Sequence, residues 1–282
     1  MASVTSTAPR RITRAQRSRV DLRKQHGFGF MAALCLVVLY APIMVLVVYS
    51  FNATRSVSQW AGFSLEWYEK AFANAEIQDA AWTSIQIAGF ATIVATICAT
   101  MAALATTRTR PWRGMMGSYL VINLPLMVPE IVTAIATLIF FALLNNALGI
   151  TLGLGNLMIA HAVFCIPFAY LPIRARLEDM DRTLEQAAAD LYATPWQTFR
   201  HVTLPLMMPG ITAGATLAFV VSFDDFTITQ LLVGPGQTTL PIYIWTSLRR
   251  GISPEINAMS SILLLISVVL VTASFLLGRR RK

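Results

Sequence analysis

Three carboxylates stand inside apolar sequence. Glu130 is the only Asp, Glu, Lys or Arg between Met115 and Ile173, and Asp224 and Asp225 sit side by side within the run Leu204 to Val233. A carboxylate at the centre of a bilayer costs about 2.5 to 3.5 kcal/mol on insertion scales, so each needs a partner, water or a cationic ligand. Neighbouring residues on a helix diverge by about 100°, so Asp224 and Asp225 are not expected to face one ligand. One is expected to contact a cationic solute and another to hold a helix end or a neighbouring subunit; internal hydrogen bonding of all three is the competing reading. Trp82, Phe223, Phe226 and Tyr243 lie at depths where an aromatic face could stack on an ammonium group for about 0.5 to 2 kcal/mol, although interfacial belts of Trp and Tyr explain such positions equally well. His161 reads as a hydrogen-bonded membrane histidine rather than a proton relay, and His201 as a loop residue.

Other chemistries find less support. The sequence has no G-x-x-x-x-G-K-[ST] loop that would cradle nucleotide phosphates. Cys35, Cys98 and Cys165 each fall in an apolar run and read as small hydrophobes, not as a disulfide framework. No ligand-spaced His/Cys set accompanies the acids, so metal ligands are not expected. An intramembrane enzyme using the Asp224–Asp225 pair would require a second acidic motif that is missing.

The elements that position these residues follow from composition. Of the 282 residues 56% are apolar and 13% charged, with a mean hydropathy of +0.61, whereas soluble domains carry about 25% charged residues. A water-facing surface cannot be covered with so few charges, and a lipid-facing one need not be. Spans of about 20 apolar residues are expected at about 28–51, 80–107, 115–144, 156–173, 204–233 and 258–277, all helical because open sheet cannot satisfy its backbone in lipid. Asn145, Asn146, Gly149, Gly153 and Gly155 separate the third span from the fourth. Pro125 and Pro129 should break the third just below Glu130. Measured from Met115 and Leu204, Glu130 lies roughly 22 Å and the aspartate pair roughly 30 Å along their helices, in the outer half of the membrane.

The net charge of +8 is unevenly placed. Arg10, Arg11, Arg14, Arg17, Arg19, Arg23 and Lys24 precede the first span; Arg108, Arg110 and Arg113 separate the second from the third; Arg174, Arg176, Arg182 and Arg200 separate the fourth from the fifth; Arg279, Arg280, Arg281 and Lys282 follow the sixth. Arg55, Lys70, Arg249 and Arg250 remain for the other side. By the positive-inside rule both termini are expected in the cytoplasm, with residues 1–27 a disordered basic tail, 28–278 the membrane domain and 279–282 a short basic end. The charge marks topology and contact with anionic lipid, not nucleic acid.

Residues 174–203 form the longest inner hydrophilic stretch. Leu184, Ala187, Ala188 and Leu191 recur at helical spacing beside Glu185, Gln186 and Asp190, and Thr194 before Pro195 marks the start of a second short helix. Such a pair could rest on lipid or dock a cytoplasmic partner. Leu184-Glu-Gln-Ala-Ala-Ala-Asp-Leu-Tyr-Ala-Thr-Pro-Trp, followed by Val202-Thr-Leu-Pro-Leu-Met-Met-Pro-Gly-Ile, resembles the "EAA" loop of permease subunits of ATP-binding-cassette importers. Pro125 to Glu130, His161 to Pro167, Ser222-Phe-Asp-Asp225, Gly234-Pro-Gly236 with Thr239-Leu-Pro241, and Ser253 to Asn257 are, in this order, similar to the spermidine/putrescine branch.

The resemblance implies an all-α, six-helix membrane protein of the type I importer kind in the bacterial inner membrane. It implies pairing with a second permease, two ATPase subunits that carry the ATP and Mg, and an external solute-binding protein. The chain itself would hold no cofactor and catalyse nothing. A polyamine such as putrescine or spermidine is the implied solute, moved by alternating access along a path including Asp224, Asp225, Glu130, Trp82, Phe223 and Tyr243. Glu185, Gln186, Ala187, Ala188, Asp190, Leu191, Tyr192 and Ala193 would couple to the ATPase. Two positions depart from the family pattern: Gln186 replaces the usual glutamate, and Tyr192 replaces a glycine that would ease a left-handed turn. A permease for another small solute, or a proton-coupled secondary transporter, is the alternative; the latter often shows related halves, which this sequence lacks.

Overall fold

The computed structural model describes residues 26–54, 59–149, 152–250 and 254–279. The basic tail through residue 25, Arg55, Ser253 and the end beyond Arg279 lie outside the described residues. Helices account for the architecture, and among the described residues six are long and apolar enough to cross a membrane.

The chain divides into two units. The first ends in helix α1 (His26–Tyr49), which begins two residues before the expected span. Its apolar side chains are exposed along the length, as Phe30, Val37 and Leu39 show. Hydrocarbon tails satisfy such a surface, while the backbone satisfies itself.

The second unit carries the remaining helices. After α2 (Glu66–Ala73) comes α3 (Ala75–Thr107), whose start is capped by Asn74 accepting from the Glu76 N–H at 3.0 Å. The interrupted third span consists of α4 (Met115–Met127) and α5 (Glu130–Leu148). Val128 and Pro129 are extended between them, because Pro129 has no N–H to continue the ladder. Helix α5 closes on Gly149 at φ 65°, and α6 (Leu154–Glu178) runs beyond the expected end near Ile173.

Next come α7 (Thr183–Asp190), α8 (Pro195–Thr198) and a π-helical turn at Phe199–Thr203 that feeds into α9 (Leu204–Phe223). The expected unbroken span 204–233 is corrected here. Helix α9 stops at Phe223, and α10 (Thr227–Leu232) starts after a three-residue break that contains both aspartates. Helices α11 (Leu240–Arg250) and α12 (Pro254–Arg279) complete the chain, α12 starting four residues before the expected sixth span.

Small residues set the spacing of the core. Ala88, Ala91, Ala95, Ala99 and Ala103 are fully buried at three- and four-residue steps along α3, which packs chiefly on α6. With no solvent to drive helix association in lipid, such close approach supplies van der Waals contact. Helix α9 meets α6 in the same way: a methyl group at Gly214 would come within 2.6 Å of the Ala169 carbonyl oxygen. Tyr170, Ile173, Leu177 and Met207 fill the space around this three-helix centre. A smaller cluster of Ala71, Ile77, Ala80, Phe223, Leu240 and Met259 joins α2, α3, α9, α11 and α12.

Candidate translocation site and coupling surface

The break between α9 and α10 has a definite cause. Asp225 turns its carboxylate onto the following turn, where Oδ2 accepts from the Thr229 N–H at 3.0 Å and from the Thr229 hydroxyl at 2.9 Å, and Oδ1 from the Ile228 N–H at 3.4 Å. Its oxygens therefore cap the first turn of the helix that follows. His161 on α6 completes the knot: Nδ1 lies 2.9 Å from the Ser222 hydroxyl, while Nε2 lies 3.1 Å from the Thr229 hydroxyl and 3.5 Å from Asp225 Oδ2. All four side chains are buried. In a low-dielectric interior, polar groups that satisfy one another hold the elements bearing them in register. Glu130, at the first position of α5, lies beside Asp225 and Thr227 and is exposed.

Asp224 has a different setting. It is exposed and lines a cavity of about 320 Å³ together with Phe226, Pro241, Ile244, Trp245 and Leu263. Phe226 and Trp245 meet there with ring centroids 5.2 Å apart. The Arg249 guanidinium lies 5.2 Å from the Trp245 ring, so this indole already engages a cation. A carboxylate beside two aromatic rings has the chemistry to receive an organic ammonium. The expected divergence of Asp224 and Asp225 is real in the structure, but a broken helix rather than a helical wheel produces it.

The other expected path residues scatter. Phe223 is buried, stacked on Phe219 at 5.6 Å, and forms wall rather than lining. Tyr243 lines a separate cavity of about 380 Å³ with Glu76, Asp79 and Arg250, and its hydroxyl accepts from Asn74 at 3.4 Å. Trp82 is 61% exposed on α3, away from the lining of the Asp224 cavity. Trp245 escaped sequence reading because nothing local marks it; only the return of α11 toward the break brings it beside Phe226.

The segment from Thr183 to Ala193 is built for exposure. Helix α7 ends in a Schellman-type closure, with the Ala193 N–H donating to the Ala188 carbonyl at 3.1 Å and the Tyr192 N–H to the Ala189 carbonyl at 2.9 Å. Tyr192 takes the left-handed conformation this closure demands, at φ 59°. Its side chain is 95% exposed and that of Leu191 82%, beside exposed Gln186, Ala187 and Asp190 and half-buried Ala188 and Ala193.

Glu185 points the other way. It pairs with Arg108 at 3.0 Å and accepts from the Thr203 hydroxyl at 2.9 Å, tying α7 to the end of α3 and to the π turn. Arg182 adds a bond to the Thr107 carbonyl at 2.8 Å. Asp181 receives the Thr183 N–H at 2.9 Å, which holds its carboxyl below the usual aspartate range. Thr194 and Gln197 form a reciprocal capping box on α8.

Residues 95–280 match the family described as the binding-protein-dependent transport system inner membrane component. The chain belongs to this family. Over 247 residues the permease is 39% identical to the putrescine transport system permease protein PotI of Escherichia coli K12, covering 86% of this chain and 88% of that one. It is 38% identical to the spermidine/putrescine permease PotC of the same organism, over 89% and 93% of the two chains. The Haemophilus influenzae PotC is 36% identical over 93% and 98%.

Among solved structures, a bacterial ABC transporter involved in the import of the acidic polysaccharide alginate matches with a TM-score of 0.70, at 15% identity over 95% of this chain and 99% of that one. The MetNI methionine ABC transporter in inward-facing form matches with a TM-score of 0.61, at 17% identity over 72% and 94%. The permease thus has the fold of type I ABC importer membrane subunits and is a multi-pass inner-membrane protein.

Proposed function

We propose that this permease forms half of the membrane path of an ATP-driven importer for a small organic cation of the polyamine class. A second permease supplies the other half, two ATPase subunits bind and hydrolyse ATP with Mg, and an external binding protein delivers the solute. The observation that carries the solute class is the cavity that sets Asp224 beside Phe226 and Trp245, read together with the polyamine permeases to which most of the chain is similar.

Asp224 receives one ammonium group, and Glu130 stands at the neighbouring helix start as a second carboxyl of the path. Asp225 does no binding; it holds the break that presents Asp224. Phe223 backs this wall, while Tyr243 and Trp82 flank the path. Gln186, Ala187, Ala188, Asp190, Leu191, Tyr192 and Ala193 make the surface that the ATPase moves, and Glu185 fastens that surface to the membrane helices. ATPase closure then biases inward- and outward-open states, and solute shifts them only by its differential affinity.

The test is uptake of labelled putrescine into vesicles carrying the complete transporter. Asp224→Asn should lower uptake roughly tenfold or more, the scale of a lost charge-assisted contact, with the complex still assembling. Trp245→Ala should raise the half-saturating concentration. Uptake unchanged in both variants removes this cavity from the path, and uptake that persists without the ATPases removes the importer reading.

A further inference from the structure

At the opposite end of α3 and α6 from the aspartate break, a cavity of about 510 Å³ opens between the loop after α3, the start of α4 and the end of α6. Cavities of this size hold small organic ligands. Its apolar walls are Trp112, Met115, Met116 and Tyr119, and its cations are Arg113 and Arg174. We propose that this cavity binds the headgroup of an anionic phospholipid, with the phosphate between the two guanidinium groups and the acyl stems along Met115 and Met116.

The arginines are prepared differently. Arg174 is held in place: its guanidinium lies 4.5 Å from the Tyr119 ring, its Nε donates to Glu178 at 2.8 Å and its Nη1 to the Tyr170 hydroxyl at 3.4 Å. Its Nη2 makes no hydrogen bond among the described residues, which leaves one edge for an anion. Arg113 is exposed and forms no ion pair among the described residues. A flat guanidinium fixed by stacking loses little freedom when it meets phosphate, and is the side chain suited to that ligand.

The wall is built as well. Trp112 lies folded across Gly114, where a β-carbon would come within 2.1 Å of its ring, so any other residue there displaces the indole. Position supports an amphiphile over a free anion. The apolar runs of α3, α4 and α6 stop at this point and Arg108, Arg110 and Arg113 begin, which is where hydrocarbon gives way to headgroups. Exposed Met116 and Leu120 continue the apolar wall down α4 toward the acyl region. Basic pockets between membrane helices with apolar walls suit anionic lipid headgroups.

The experiment is photolabelling of the complete transporter in vesicles of phosphatidylcholine containing a diazirine-bearing phosphatidylglycerol, or the matching phosphatidylcholine probe, followed by peptide mapping. Phosphatidylglycerol should label residues 111–120 preferentially, and Arg113→Gln should cut that labelling roughly fivefold, the share one arginine near a membrane surface contributes. Arg174→Gln should cut it similarly; because Arg174 also packs on Tyr119, Met116→Trp, which fills the cavity from an exposed position, provides an independent loss without touching a charge. Equal labelling by both lipids overturns the proposal. So does displacement of the label by inorganic phosphate, which marks a free-anion site. Failure of both lipid probes to label residues 111–120 in the complete transporter, with label appearing there only once the ATPase subunits are stripped away, overturns it in favour of a protein contact.

Discussion

The break at Asp224–Phe226 and the closure at Leu191–Ala193 are both interruptions of helix, yet they are stabilised in opposite ways. The first is buried among His161, Ser222 and Thr229, and nearly every polar atom there has a partner within the chain. The second leaves Leu191 and Tyr192 in the open and satisfies only its backbone. Inside the membrane an unsatisfied group has no water to turn to, so an internal interruption has to be completed by the fold. At the aqueous face an apolar side chain can be left uncovered at modest cost, and a partner can later cover it. Burial with full hydrogen bonding therefore marks architecture, whereas exposed apolar residues on a rigid closure mark a contact surface.

Removing the carboxylate that completes the buried break should have the largest effect. Asp225→Ala strands His161 and the Thr229 N–H, and should cost about 2 to 4 kcal/mol, seen as loss of assembled complex and a lower melting temperature in detergent. Asp224→Asn, one residue away, should leave melting unchanged while reducing uptake; equal melting losses in the two variants would erase the distinction drawn between them. Next in size is Leu191→Asp at the exposed closure. It should leave the permease folded yet reduce recovery of ATPase subunits in pull-downs several-fold, because a charge replaces an apolar anchor.

Smaller still is Tyr192→Gly. Relief of the left-handed tyrosine should strengthen the end of α7 by about 0.5 to 1 kcal/mol, measurable as slower amide exchange at Ala193, whose N–H closes on the Ala188 carbonyl. The smallest effect concerns pH. The Asp181 carboxyl is held low by the Thr183 N–H, so this contact is complete above the ordinary aspartate value of 3.8 and is lost as pH falls through the lower folded value. Exchange at Thr183 should quicken only in that acidic window, and Asp181→Asn should abolish the dependence.

Much of the fold is written in local sequence. Charge-free runs mark the apolar helices because lipid tolerates few charges, and of the two prolines expected to break the third span Pro129 does so, because its missing N–H acts on its own turn, while Pro125 stays inside α4. The same locality shows Thr194 as a cap, whereas the left-handed turn at Tyr192 is implied only by the glycine that the resembling family carries there. What escaped reading depends on distant partners. No pattern near Asp225 announces His161, some sixty residues earlier in the chain, so a continuous fifth span was expected where the structure has two helices. The buried alanines of α3 carry no signal of their own until α6 is laid against them. Trp245 becomes part of a cavity only because α11 returns across Phe226, and Glu185, which the motif groups with its exposed neighbours, turns inward because Arg108 waits there.

The π turn at Phe199–Thr203 has a mechanical meaning. It splices α8 onto α9, so that helical backbone runs from Pro195 to Phe223 over 29 residues, a strut about 43 Å long. One end abuts the exposed closure and the other stops at Asp224. A swing of about 5° about the near end would sweep the far end by about 4 Å, given that length. Because the π turn keeps the helical backbone continuous, the exposed closure and the aspartate break stand at the two ends of one element instead of being separated by a loop.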